Sequence, residues 1–154
     1  MEVFRWPGGR APEFVKTAAT LGVFDGVHVG HQEILRQLVG EAAARACPSV
    51  VITFDRHPNQ VLEGPLQPCI TSREHRVRLF EELGIDACLM IHFTEDVAGL
   101  PAPDFARTVL RDLLHVELLV VGADSRFGRG GEGDVEMLRA MRDELGLEAR
   151  VAPP

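Results

Sequence analysis

The run Ser49-Val-Val-Ile-Thr-Phe54 limits the fold more than any other stretch of this chain. It is a short, mainly apolar run without the alternation of a half-exposed strand. A short strand of that kind is covered on both faces, as in a parallel sheet held between two layers of helices. Three more runs share the character, at residues 18–24, 86–93 and 116–122, and Ala149-Arg-Val-Ala152 begins a fifth. Helical patterns separate them. Ile34, Leu35, Leu38 and Ala42 make one buried stripe between Gly30 and Ala46. Thr71-Ser-Arg-Glu74 has the spacing of a capping box, and Gly84 stops the helix it opens. Phe105, Val109 and Leu113 line a helix over 103–115, and Asp134 caps a last one that runs to Leu145. Residues 1–17, with Pro7-Gly8-Gly9 and Pro12, read as an irregular lead-in. The order predicts an α/β domain: a doubly wound parallel sheet of about five strands.

Composition excludes several functions. The net charge of −7 argues against a nucleic-acid partner, which needs a basic surface. No apolar run approaches the ~20 residues of a membrane span, and Met1–Trp6 lacks the apolar core of a signal peptide, so the expectation is a cytoplasmic protein without a membrane partner. Cys47, Cys69 and Cys88 are widely spaced and form no CxxC, which suits structural thiols in a reducing compartment. Lys16 is the only lysine, which leaves arginine as the cation for any phosphate contact.

The stretch Thr20-Leu-Gly-Val-Phe-Asp-Gly-Val-His-Val-Gly-His31 runs from a strand through a Gly-flanked turn into a helix. A helix N-terminus offers free N–H groups and a partial positive charge, so this turn suits a phosphate. His28 and His31 can add donors around a transferring phosphoryl group. A zinc pair is the competing reading, but no Cys/His cluster completes a set of three or four ligands. HxGH between a strand and a helix has the context of a nucleotidyl-transfer signature.

Parallel sheets bind ligands beyond the C-terminal ends of their strands. Segments 24–31, 54–58 and 122–128 fall on that edge. In the second, His57-Pro58 follows a strand, while Asp55 reads equally as a loop cap or a polar wall. In the third, Gly128 and Gly133 have the spacing of a phosphate loop, but Asp134 stands where Lys is required, so that reading fails. A mobile surface loop is the plainer alternative. Asp124 is its foremost polar candidate, and Arg126 serves either a phosphate or a salt bridge. The run Arg73-Glu-His-Arg-Val-Arg78 reads as a solvated helix face beside Glu81 and Glu82. His75, His92 and His115 read as structural or surface residues.

Gly22-Val-Phe-Asp-Gly-Val-His-Val-Gly-His31 resembles the GxFDGxHxGH signature of bacterial FAD synthetases, the bifunctional riboflavin kinase/FMN adenylyltransferases. Thr53-Phe-Asp-Arg-His-Pro58 is similar to their TFxxHP, and Val121-Gly-Ala-Asp-Ser-Arg-Phe-Gly128 to their VGxDFRFG. The resemblance implies a Rossmann-like, class I nucleotidylyltransferase-like domain that makes FAD and pyrophosphate from FMN and ATP with Mg²⁺. It implies that His28 and His31 act in catalysis. Gly22, Val23, Phe24, Asp25, Gly30, Gly122, Asp124 and Arg126 would hold the nucleotide, and His57, Pro58 and Phe127 the flavin. Metal ligands are not assigned. Ser125 departs from the family, where Phe or Tyr is usual.

The family's domain continues into an SSTxxR-like segment and then a riboflavin kinase domain. Neither is present within these residues, so 1–154 is expected to be an adenylyltransferase domain truncated at its C-terminal end. The kinase domain is expected in a full-length protein, and this chain is expected to lack riboflavin kinase activity. Two further readings remain: a non-catalytic ATP- or flavin-binding remnant, and an HxGH nucleotidylyltransferase with another phosphate acceptor.

Overall fold

A computed structural model describes residues 1–24, 29–55 and 73–152. Its strands are β1 (Glu2–Trp6), β2 (Thr17–Leu21), β3 (Ser49–Phe54), β4 (Ala87–Ile91), β5 (Val116–Val121) and β6 (Glu148–Val151). Among the described residues they form one sheet in the order β1-β4-β3-β2-β5-β6, with every neighbouring pair parallel. Its helices are α1 (Val29–Ala44), α2 (Arg73–Glu82), α3 (Glu95–Ala98), α4 (Ala102–Phe105), α5 (Val135–Ala140) and α6 (Arg142–Leu145).

The expected architecture is present. Alternate residues of the central strands face two separate cores. Leu35, Leu38 and Ala42 of α1, with Phe80 of α2, cover Ala18, Val51, Cys88, Met90, Leu118 and Val120. The helical segment after α4, with α5 and α6, covers the opposite face, built on Ala19, Leu21, Ile52, Leu89, Leu119 and Val121. Every residue of β2, β3 and β4 is buried, as their mainly apolar character requires.

Several boundaries differ from expectation. The sheet has a sixth strand, β1, inside the stretch read as irregular. It is an edge strand that buries only Phe4, so it carries no apolar run. The helix expected over 103–115 starts as α4 and continues as a π-helix over Ala106–Leu113. Its wider turn, with Leu114 N–H donating to Val109 O at 3.1 Å, buries Leu110 and Leu114 and leaves Leu113 half-buried. The last helix begins as read, with the Asp134 carboxylate accepting from Met137 N–H at 2.9 Å, but divides at Met141 into α5 and α6. Thr71 and Ser72 of the expected capping box lie outside the described residues, as does Cys69. Cys47 and Cys88 are free, and burial pushes the Cys88 thiol up to about 12.

Strand order reverses between β2 and β5, which neighbour each other at the centre of the sheet. The crevice beyond their C-terminal ends is the topological switch point, the standard ligand position in such sheets. Segments 22–24 and 122–128 both emerge there.

Candidate active site

Two cavities adjoin at the switch point. The larger, about 490 Å³, is walled by Phe54 at the end of β3, Phe93 after β4, Val97 of α3, Phe105 of α4 and Phe127. Its size and apolar lining suit a planar organic ligand. The Phe54 and Phe93 rings meet edge to face at 5.2 Å, and Phe105 and Phe127 lie 5.7 Å apart at 42°. The smaller cavity, about 310 Å³, is lined by Thr20, Phe24, His31, Ile34, Gly122 and Asp124, among others. Leu21, Gly22, Val23 and Ser125 line both. The two spaces therefore share a wall made by the end of β2 with the residues just after it and by Ser125 of the third candidate segment.

The loop that carries Phe127 is pinned, against the reading of it as a mobile surface loop. Phe127 and Gly133 exchange backbone hydrogen bonds at 3.1 and 2.8 Å. Arg129 N–H donates to Leu100 O at 2.9 Å, and the Glu132 carboxylate accepts from Ala102 N–H at 2.9 Å. Arg126 is exposed and pairs with Asp134 at 3.2 Å, so of its two readings the structure contains the salt bridge.

At the smaller cavity, Phe24 is buried and holds a positive φ of 56°. That is an uncommon conformation for a bulky side chain and one that clusters at functional turns. Its ring packs edge-on against His31 at 5.3 Å and Phe80 at 5.7 Å. His31 stands in the first turn of the 16-residue helix α1, a turn that contains no acidic residue.

Asp55 lines neither cavity and instead ties strand ends together. Its carboxylate bonds His92 Nδ1 at 2.5 Å, accepts from Phe93 N–H at 3.2 Å, and lies 3.8 Å from Arg5. It thus joins the C-terminal ends of β1, β3 and β4 behind the Phe54–Phe93 wall. His92, read as structural or surface, is half-exposed and makes this structural contact with a partner 37 residues away in sequence.

Arg76 corrects the reading of the 73–78 run. Glu74, His75 and Arg78 are exposed, but Arg76 is only 2% exposed. Its guanidinium donates to Val23 O at 2.7 Å, Thr53 Oγ1 at 3.2 Å and Phe54 O at 3.0 Å.

Of the residues singled out from sequence, Gly22, Val23, Phe24, His31, Gly122 and Asp124 come together at the smaller cavity, and Arg126 and Phe127 border the larger. Gly30 contributes backbone to the first turn of α1. Asp25, His28, His57 and Pro58 lie outside the described residues. No group of three or more His, Cys, Asp or Glu that could hold a metal occurs among the described residues.

The FAD synthetase family model matches residues 11–154, nearly the whole chain. The chain belongs to the FAD synthetase family. The bifunctional riboflavin kinase/FMN adenylyltransferase of Escherichia coli K12 is 35% identical over 130 residues, 84% of this chain and 42% of the relative. That of Listeria monocytogenes is 33% identical over 131 residues, 84% of this chain and 41% of the relative. A protein of Geobacillus thermodenitrificans, named a putative enzyme of the same kind, is 35% identical over 123 residues, 80% of this chain and 66% of its own length. The chain thus spans less than half the length of the first two family members. A solved structure described as a macrolide-efflux protein from Streptococcus pneumoniae has the same fold. Its TM-score is 0.83 at 26% identity, over 100% of this chain and 52% of that one. No helix among the described residues is long and apolar enough to cross a membrane.

Proposed function

We propose that this chain is the FMN adenylyltransferase portion of an FAD synthetase, with ATP in the smaller cavity and the flavin of FMN in the larger. The observation that carries the reading is the shared wall: Gly22, Val23 and Ser125 border an apolar, aromatic-lined space on one side and, on the other, a space to which Thr20, His31 and Asp124 bring polar groups. Adenylyl transfer needs two such ligands end to end, with their phosphates meeting.

In the reaction, an FMN phosphate oxygen attacks the α-phosphorus of ATP in line. A new P–O bond forms, the α–β bridging P–O bond breaks, and pyrophosphate leaves with the electron pair. No covalent protein nucleophile is needed, so the chain's contribution is position and charge stabilisation. His31 and His28 would donate to the phosphate oxygens as charge moves onto the leaving group, helped by the N-terminus of α1. Asp25, Gly30 and Gly122 complete the proposed nucleotide side. His57, Pro58 and Phe127 complete the flavin side. Arg126 would have to leave Asp134 to reach a phosphate. Mg²⁺ supplies Lewis-acid neutralisation when bound; it fits a site with few protein ligands, since it is commonly held by substrate phosphates, water and one or two carboxylates. Asp124 is the described carboxylate at the smaller cavity. Free Cys47 and Cys88 suit the reducing cytoplasm, where the reading places the chain. A riboflavin kinase domain is the proposed companion in the full-length protein, on the pattern of the bifunctional relatives.

Incubation with FMN, ATP and Mg²⁺, followed by chromatography, should yield FAD. Binding of either ligand without product would identify a binding remnant instead, and turnover with a different phosphate acceptor would identify another HxGH transferase. Replacing His31 with Ala should lower kcat by roughly 10²–10³-fold, the usual loss for a donor to a developing oxyanion, and change ATP affinity far less. Equal losses in kcat and affinity would remove His31 from the transition state.

A further inference from the structure

Arg76 is a buried cation outside the three motif segments, and its position needs a reason. Burying a guanidinium costs several kcal/mol unless its donors are well matched, and an apolar side chain beside Phe80 would fill the same space without that cost. What Arg76 does instead is bridge. One nitrogen donates both to Val23 O, just after β2, and to Thr53 Oγ1 near the end of β3; the other donates to Phe54 O. Thr53 Oγ1 in turn donates to Val23 O at 2.9 Å, closing a ring of contacts between the two strand ends. Nε has no partner among the described residues, so the guanidinium is committed to this junction by two of its three nitrogens. Val23 lies in the wall common to both cavities, and Phe54 belongs to the aromatic wall of the larger. The planar fork of arginine fixes the two peptide planes from which Phe24 and Asp55 depart; a lysine would satisfy these acceptors with a single flexible ammonium.

We infer that Arg76 is a positioning residue for adenylyl transfer: by clamping the β2 and β3 loops together it sets the distance between the nucleotide and flavin cavities. This rests on the proposed function, because a fixed spacing matters for a reaction in which two bound phosphates must meet. Misplacement by about an ångström is enough to cost on the order of 10²-fold in such a step.

The test uses this chain with Arg76→Met and Arg76→Lys, read in two independent ways. In steady-state kinetics with FMN and ATP, Arg76→Met should lower kcat per folded molecule on the order of 10²-fold, with both KM values little changed, and Arg76→Lys should recover part of the loss. In amide hydrogen exchange without substrates, Arg76→Met should lose protection at Gly22 N–H and Asp55 N–H, which bond Ile52 O and Ile91 O at the loop bases, while β5 and β6 keep theirs. Wild-type kcat per folded molecule in Arg76→Met, or an even loss of protection across the sheet, would overturn the inference. Should Arg76→Met not fold, Arg76→Gln, which keeps two N–H donors on a shorter stem, takes its place; failure of both to fold overturns the inference in favour of a structural role. If the wild-type chain makes no FAD, the proposed function fails, and the exchange measurement decides alone whether Arg76 clamps the loops.

Discussion

Gly128 sits at φ 79° and ψ −174°, a region of backbone space open essentially to glycine alone. A Cβ there would also lie 2.5 Å from Ala102 Cα, a backbone atom that cannot step aside. Gly130, two residues on, has φ 60° and ψ 18° but open space around it. Replacing Gly128 with Ala should therefore cost more than the ~1–3 kcal/mol of strain alone, because the Phe127 wall must move away from α4. Replacing Gly130 with Ala should cost about 1 kcal/mol. Thermal melts would measure both, and flavin fluorescence titration should show weakened FMN binding for the Gly128 variant only. Equal melting temperatures for the two variants would mean that the loop is looser than its contacts indicate. At this scale the sequence was informative wherever a residue's role depends on its immediate neighbours: His31 in the first turn of a helix, Asp134 three residues before the amide it caps. It placed Arg76 on a solvated face and left Asp55 open between a loop cap and a polar wall. Their partners come from strands 22 to 53 residues away, and a charged side chain in a polar helix looks solvated until the fold brings acceptors to it.

At the level of elements, the four central strands were legible because burial on both faces leaves room for few polar residues, among them Thr17, Thr20, Ser49 and Thr53. The edge strand β1 was hidden for the converse reason. Glu2, Val3 and Arg5 are exposed, and Phe4 alone marks its core face, so hydrogen bonding to β4 rather than apolar pattern makes it a strand. The helix from α4 through the π-helical segment was placed within two residues, yet its buried stripe was misread. A 3.6-residue period predicts Leu113 inside, and the wider π turn puts Leu114 there instead. The loop 123–133 looked mobile by composition. Its glycines instead permit close packing against α4, which turns the loop into the far wall of the larger cavity. The candidate site was thus readable as three segments on one sheet edge. Its division into two cavities depended on packing between those segments, which no local pattern encodes.

Across the whole molecule, a chain with a net charge of −7 concentrates cations at particular joints. One joint fastens the outer strand β6. Arg150 pairs with Glu148 at 2.8 Å and with Glu41 of α1 at 2.7 Å, and Arg45 of α1 lies 3.6 Å from Glu148. The hydrogen bond from Arg150, with the charges of Arg150 and Arg45 added, holds the Glu148 carboxyl below its ordinary range. A carboxyl whose folded-state value is depressed stabilises the fold fully above its unfolded value. That stabilisation is lost as pH falls through the folded value. Glu148 remains more than a third exposed, so water screens the pair and its contribution is at most about 1 kcal/mol. Replacing Glu148 with Gln should therefore lower the melting temperature slightly at neutral pH. The gap should shrink as pH drops below the usual Glu range of about 4.3 and close once Glu148 is protonated in the folded state too. Added salt at neutral pH should narrow it too. Because β6 pairs only with β5 among the described residues, protection from amide exchange in residues 148–151, corrected for the intrinsic rate, should fall in acid before protection in β2 or β3 does. A melting-temperature gap that stays constant from neutral to acid pH would show that Glu148 acts through packing rather than charge. The junction of α1 and β6 would then be held by the apolar contacts beneath it.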